Sequence, residues 1–171
     1  TNIIEIIILS LIQGVTEFIP VSSSAHLIVV STLYEFKSNS LLIDLGLHLG
    51  SLLAIIFFFK KELFDIKKNK KILFLIVIGS IPLITIGYFL YKTNLIYLLR
   101  DIKVIAWTTL IFGILLYFAD KNKFDKNISS NLNLKTILYI GLFQALALIP
   151  GVSRAGITIT AARIFRFNRV D

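Results

Sequence analysis

Glu17 and Arg154 are ionisable residues set in apolar surroundings, an expensive arrangement unless each faces a partner or a wet cavity. Each stands beside hydroxyls. Glu17 precedes Ser22, Ser23, Ser24 and His26, and Arg154 follows Ser153 and precedes Gly156 and Thr158. The two groups have complementary chemistry. Arg154 offers a planar fork for phosphate oxygens, and backbone N–H groups at a helix start after Pro150-Gly151 add anion donors. Ser23, three residues before His26, places a nucleophile and a base within one helical turn. The carboxylate of Glu17 could hold a divalent cation, orient the histidine, or both. Singly, the residues have plainer readings: Glu17 and Arg154 as a structural ion pair, each serine as the N-cap of the next helix.

Composition narrows what surrounds this chemistry. Of 171 residues, 56% are hydrophobic and 16% charged, and the mean hydropathy is +0.84, which is not the balance of a soluble domain. Cys is absent, and His occurs twice. Disulfides, thiolate metal sites and cysteine nucleophiles are therefore excluded, and any metal must rest on carboxylates. The chain has no Met, starts at Thr1 and stops at Asp171 inside a half-apolar run. It reads as a segment of a longer protein, 1–171 forming one membrane domain.

The elements that must position these residues are apolar runs between charges. Leu41–Phe59, Ile72–Tyr91 and Val104–Ala119 are predicted membrane-spanning helices, since at ~1.5 Å per residue each covers most of a hydrocarbon core of about 30 Å. The stretches 3–33 and 134–165 differ. Each is a helix, a break at Pro20 or Pro150, and a second helix too short to span, so each is predicted to be a re-entrant hairpin. The breaks resemble one another: with a one-residue gap, Gln13, Pro20 and Val21-Ser22 align with Gln144, Pro150 and Val152-Ser153. Such repeats commonly flank a midplane site built from discontinuous helices.

Charge supplies the orientation. Lys60–Lys71, Lys121–Lys135 and Arg163–Arg169 fall on one face, and Lys37 and Lys92–Lys103 on the other, so the more basic face is predicted to be cytoplasmic. The first hairpin then enters from outside and the second from inside, an inverted-topology repeat. The formal charge of +8 becomes a topology signal, and a nucleic-acid partner is not expected. The run at Lys60–Lys71 reads as a solvated loop attracted to anionic lipid, and the scattered Phe residues as lipid-facing packing.

The segments Gln13-Gly-Val-Thr-Glu17-Phe-Ile-Pro20-Val-Ser22-Ser23-Ser-Ala-His26 and Pro150-Gly-Val-Ser153-Arg154-Ala-Gly156-Ile-Thr158 resemble the two signature motifs of the bacterial undecaprenyl-diphosphate phosphatases, the UppP (BacA) family of bacitracin-resistance proteins. Asp44 to Ile55 is similar to the family's next helix. The resemblance runs from near residue 3 to the end of the chain. It implies an all-α integral inner-membrane protein, a polytopic bundle with two re-entrant hairpins in inverted repeat, with the family's C-terminal helices missing here. The implied reaction removes the terminal phosphate of undecaprenyl diphosphate, recycling the lipid carrier for peptidoglycan synthesis, at a site open to the periplasmic side. The implied partners are a polyprenyl diphosphate lipid and the bilayer, with a homodimer as a further expectation.

By motif, the resemblance implies Ser23, His26 and Glu17 as catalytic, with Ser23 the favoured nucleophile and His26 the other candidate for that role. It implies Arg154, Ser153, Thr158, Gly156, Ser22 and Gln13 as substrate-binding. The implied cofactor is a divalent cation, Mg²⁺ or Ca²⁺, with Glu17 and, less directly, Asp44 as ligands. Asp44 and His48, four apart, share a helix face; they either line the site as metal or proton groups or hydrogen-bond within the bundle. Two departures are local: Ala155 stands where many members have Ser, and Ser24-Ala25 replaces Thr-Gly. The alternative is a transporter or flippase for a polyprenyl phosphate lipid, since broken inverted repeats are also carrier architecture. The other membrane lipid phosphatase class needs a His after its Ser-Arg, and none follows Arg154.

Overall fold

A computed structural model describes residues 2–37, 41–61, 66–121 and 125–168. The middle of the basic run at Lys60–Lys71, part of the Lys121–Lys135 segment and Arg169 lie outside them. The described elements are helical: α1 (Ile3–Thr16), α2 (Ser23–Leu33), α3 (Leu41–Phe58), α4 (Ile66–Lys92), α5 (Leu95–Leu98), α6 (Ile102–Asp120), α7 (Ile128–Asn131), α8 (Leu134–Ala145), a 3-10 turn (Leu146–Leu148) and α9 (Arg154–Ile164). Among the described residues the only β feature is an isolated bridge between Lys126 and Phe167. The fold is all-α, and Leu41–Phe58, Lys70–Lys92 and Ile102–Asp120 are long and apolar enough to cross a membrane. Their ends differ from the sequence-predicted spans by at most a few residues.

Contacts divide the chain into two units, Thr1–Asn69 and Lys70–Asp171. In the first, α1 packs on α2 and α3. The buried stripe Leu9, Gln13 and Thr16 repeats at four and three residues, one face of a helix, and α2 buries Ala25, Leu27 and Ile28. In the second, α9 packs on α6 and α8 around Ile105, Val152, Ile157, Ala161 and Phe167. Small residues let α4 and α8 touch backbones: a Cβ on Gly141 would overlap the Gly79 carbonyl. Buried Arg163 clasps the end of α6, donating from Nη2 to the Asp120 carbonyl (2.8 Å) and from Nη1 to the Phe167 carbonyl (3.1 Å). It thereby supplies donors to backbone oxygens that helix ends leave unpaired.

The repeat seen around the two prolines extends well beyond them in local geometry. Asn2 caps α1 by accepting from Ile4 N, and Asn133 caps α8 by accepting from Thr136 N. Ser22 caps α2 through Ala25 N and Ser153 caps α9 through Gly156 N. Both second helices are 11 residues long. Each ends in the same left-handed turn: Glu35 and Arg166 take φ of 52° and 70°, and Phe36 N and Phe167 N reach back to the carbonyls of Ser31 and Ala162. Asn2 and Asn133, Ser22 and Ser153, Phe36 and Phe167 stand at one constant separation, so the repeat covers Asn2–Phe36 and Asn133–Phe167. Asn133→Ala removes one cap and is expected to cost about 1 kcal/mol, read as a lowered thermal midpoint in detergent.

Candidate active site

The first unit assembles a polar cluster at the α1–α2 break. Glu17 lies in the turn that closes α1 and Ser23 is the first residue of α2, so the break folds both onto one end of the hairpin. Ser23 Oγ donates to Glu17 Oε2 at 2.7 Å and stands 3.3 Å from His48 Nε2 on α3. A hydroxyl with one hydrogen thus sits between two proton acceptors. His48 Nδ1 is 2.8 Å from the Asp44 carbonyl of its own helix. That oxygen can only accept, so Nδ1 carries a hydrogen, and a neutral ring presents its Nε2 lone pair to Ser23.

Glu17 Oε2 accepts a second hydrogen bond, from Gln13 Nε2 (2.8 Å), and the same Gln13 nitrogen lies 3.3 Å from Ser51 Oγ. Gln13 is only 1% exposed, so its donor end is locked against the carboxylate. The side chains of His48 and Glu17 keep 30% and 26% exposure, with His48 Nε2 3.7 Å from Glu17 Oε2. The cluster is therefore sealed beneath by Gln13 and open on the side where Ser23, Glu17 and His48 meet.

His26 lies elsewhere. Its Nδ1 is 2.7 Å from the carbonyl oxygen of Ser22, one turn back on α2, and the residue is exposed. The spacing of Ser23 and His26 points to these two as partners; the ring at hydrogen-bond distance of Ser23 is that of His48. Ser22 is buried as the cap of α2, its Oγ 3.2 Å from Ser24 Oγ. Asp44 is buried in α3 and orients His48 through its backbone. For the implied cation, no three His, Cys, Asp or Glu side chains come together among the described residues, and Glu17 Oε2 already faces the Gln13 and Ser23 donors. These residues do not fit a resident cation held by the protein alone.

The second unit builds a different arrangement. Ile149 to Ser153 turns the chain from the 3-10 segment into α9, with Gly151 at φ 97°. Ser153 Oγ accepts from Gly156 N at 3.1 Å, and Arg154, the first residue of α9, is exposed. An exposed guanidinium at a helix N-terminus is an anion-facing arrangement by charge and by dipole. Thr158 directs its hydroxyl to the Arg154 and Ala155 carbonyls (2.9 and 3.0 Å), and Gly156 is buried. Residues not singled out from the sequence hold this turn: Thr108 and Thr109 of α6 donate to the carbonyls of Pro150 and Gly151 (2.7 and 3.4 Å). The one signal available for them was a pair of hydroxyls in an apolar span.

Comparison with known proteins agrees with the motifs. A family described as bacitracin resistance protein BacA matches residues 6–171. An undecaprenyl-diphosphatase of Pelagibacter ubique (strain HTCC1062) is 69% identical over 172 residues, covering 100% of this chain and 67% of that protein. Undecaprenyl-diphosphatase 1 of Pseudoalteromonas translucida (strain TAC 125) is 44% identical over 182 residues, and the undecaprenyl-diphosphatase of Jannaschia sp. (strain CCS1) 40% over 184, each covering 98% of this chain and 68% of the relative. With its three apolar helices, its two capped breaks and a match running almost from end to end, this chain belongs to the bacitracin resistance protein BacA family.

Proposed function

We infer that this protein hydrolyses undecaprenyl diphosphate to undecaprenyl phosphate and inorganic phosphate, the activity its relatives are named for, and so supports lipid-carrier recycling and bacitracin resistance. The observation that carries the reading is Ser23 Oγ, held 2.7 Å from Glu17 Oε2 and 3.3 Å from His48 Nε2. A hydroxyl between two proton acceptors is an activated nucleophile. Ser23 Oγ attacks the terminal phosphorus, an O–P bond forms, and the bond to the bridging oxygen breaks, releasing undecaprenyl phosphate. The Oγ proton passes to Glu17 or His48, and water then cleaves the phosphoserine. In phosphoryl transfer most of the catalysis is positioning and charge neutralisation, a role that suits Arg154 and the amides opening α9. Mg²⁺ or Ca²⁺ would add charge to the diphosphate and draw its remaining ligands from phosphate and water; the steps assigned to Ser23, Glu17 and Arg154 do not run through it.

The distribution of Lys and Arg supports a place in the bacterial inner membrane with the Lys60–Lys71 side cytoplasmic and the site opening to the periplasmic side. The test is phosphate release from undecaprenyl diphosphate by the full-length protein. Arg154→Ala is expected to lower kcat/KM by roughly 10²-fold. Wild-type rates in Arg154→Ala, or movement of intact diphosphate across vesicles without hydrolysis, would overturn the assignment, the latter in favour of a carrier.

A further inference from the structure

The break that carries Arg154 is a buried, irregular piece of backbone. Pro150, Gly151 and Val152 are all buried, and carbonyls in such a place need donors, above all where no water can supply them. Pro150 has no N–H to offer its neighbours. Its carbonyl takes its hydrogen from Thr108 Oγ1 at 2.7 Å, and the next carbonyl, that of Gly151, faces Thr109 Oγ1 at 3.4 Å. Two consecutive threonines of α6 thus pin two consecutive peptides of the turn.

A threonine within a helix ordinarily returns its hydrogen to its own turn. Thr85 in α4 does so, to Ile81 O at 2.9 Å. Thr108 has that option as well, with Val104 O at 2.8 Å and Ile105 O at 3.1 Å, yet Pro150 O is the nearest of the three oxygens. The turn also presses close enough that a Cβ on Gly151 would overlap Thr108 Oγ1. A hydrogen bond and a contact that only glycine permits both place this hydroxyl against the turn.

We propose that Thr108 is a positioning residue for the anion-binding break: its hydroxyl fixes the Pro150–Gly151 turn and thereby sets where Ser153 and Arg154 meet a diphosphate. The proposal rests on the phosphatase reading. Without the hydroxyl, the Pro150 carbonyl either stays buried and unpaired or rotates toward another donor. Rotation carries the start of α9 with it, because Ser153 caps that helix within three residues of the pinned peptide. The effect falls on substrate binding, since Thr108 belongs to the second unit, with Arg154, and Ser23 and Glu17 to the first.

The experiment measures phosphate release from undecaprenyl diphosphate by full-length wild-type protein, Thr108→Val, which keeps the shape and loses the hydroxyl, and Thr108→Ser, which keeps the hydroxyl. Thr108→Val is expected to raise KM about tenfold with kcat within about twofold of wild type, and Thr108→Ser to restore KM. A hydroxyl of merely structural value would instead reduce folded enzyme, lowering apparent kcat at an unchanged KM; that result overturns the proposal. So does a Thr108→Ser KM as high as that of Thr108→Val. If Thr108→Val and Thr108→Ala both fail to fold while Thr108→Ser folds, the residue serves general stability and the proposal is likewise overturned. A wild type that releases no phosphate overturns the phosphatase reading, and this inference with it.

Discussion

Ser23→Ala is expected to reduce kcat for undecaprenyl diphosphate hydrolysis by roughly 10⁴-fold or more, while leaving the protein folded. The hydroxyl is small and half-buried, so its loss opens little space. Among the described residues it is the hydroxyl that both Glu17 Oε2 and His48 Nε2 reach, at 2.7 and 3.3 Å. Initial rates in detergent micelles measure the effect, and acid quenching identifies the phosphorylated residue. A phosphoserine survives acid, whereas a phosphohistidine does not. If exposed His26 were the nucleophile through its outward Nε2, Ser23→Ala would keep substantial activity, His26→Ala would lose it, and the trapped phosphate would be acid-labile.

Gly151→Ala is expected to be strongly destabilising. At φ 97° an alanine pays about 1–3 kcal/mol of backbone strain. Its Cβ would overlap Thr108 Oγ1 and lie 2.8 Å from Ile105 O; those are a β-branched helix side chain hydrogen-bonded to the turn and a helix backbone oxygen, neither free to withdraw, so overpacking adds a further ~1–3 kcal/mol. A total of about 4 kcal/mol is a large part of a typical domain's stability, and loss of folded yield with a sharp fall in thermal midpoint is the outcome to look for in size-exclusion and thermal unfolding. Gly113→Ala, on the helix α6 that carries Thr108, is the control. Nothing lies within 4 Å of its Cβ, and alanine is the better helix former, so that variant should be unchanged or slightly more stable. Equal behaviour of the two variants would mean that the turn is not held as described.

Much of the architecture can be read directly along the chain. The three spans follow from unbroken apolar runs, and their ends shift by only a few residues because charged and capping residues mark them. The breaks follow from Pro20 and Pro150 beside small polar residues. The repeat is faint as letters, yet its caps are the same residue types, Asn2 with Asn133 and Ser22 with Ser153, because a helix start asks for the same short acceptor wherever it occurs.

The partner of Ser23 is the instructive case. Helical spacing favours His26, three residues on. In the structure His26 turns back to the Ser22 carbonyl, while Ser23, at the very start of α2, faces α1 and α3. A signal for the alternative was present, since Asp44, His48 and Ser51 recur at four and three residues and so form a polar stripe along one face of an apolar helix. That stripe indicates which side of α3 is wet, without saying which hydroxyl it meets.

By itself, then, the sequence determined the class of protein, the number and limits of its apolar helices, the two breaks and the residue types gathered there. These are local properties, set by composition, period and capping over a few turns. Only the tertiary structure decided that His48 and Glu17 bracket Ser23, that Gln13 seals the cluster from below, and that Thr108 and Thr109 hold the turn before Arg154. Most of those pairings, Ser23 with His48, Gln13 with Ser51 and Thr108 with Pro150, join residues far apart in the chain, and their distances depend on how helices pack, which no local preference encodes.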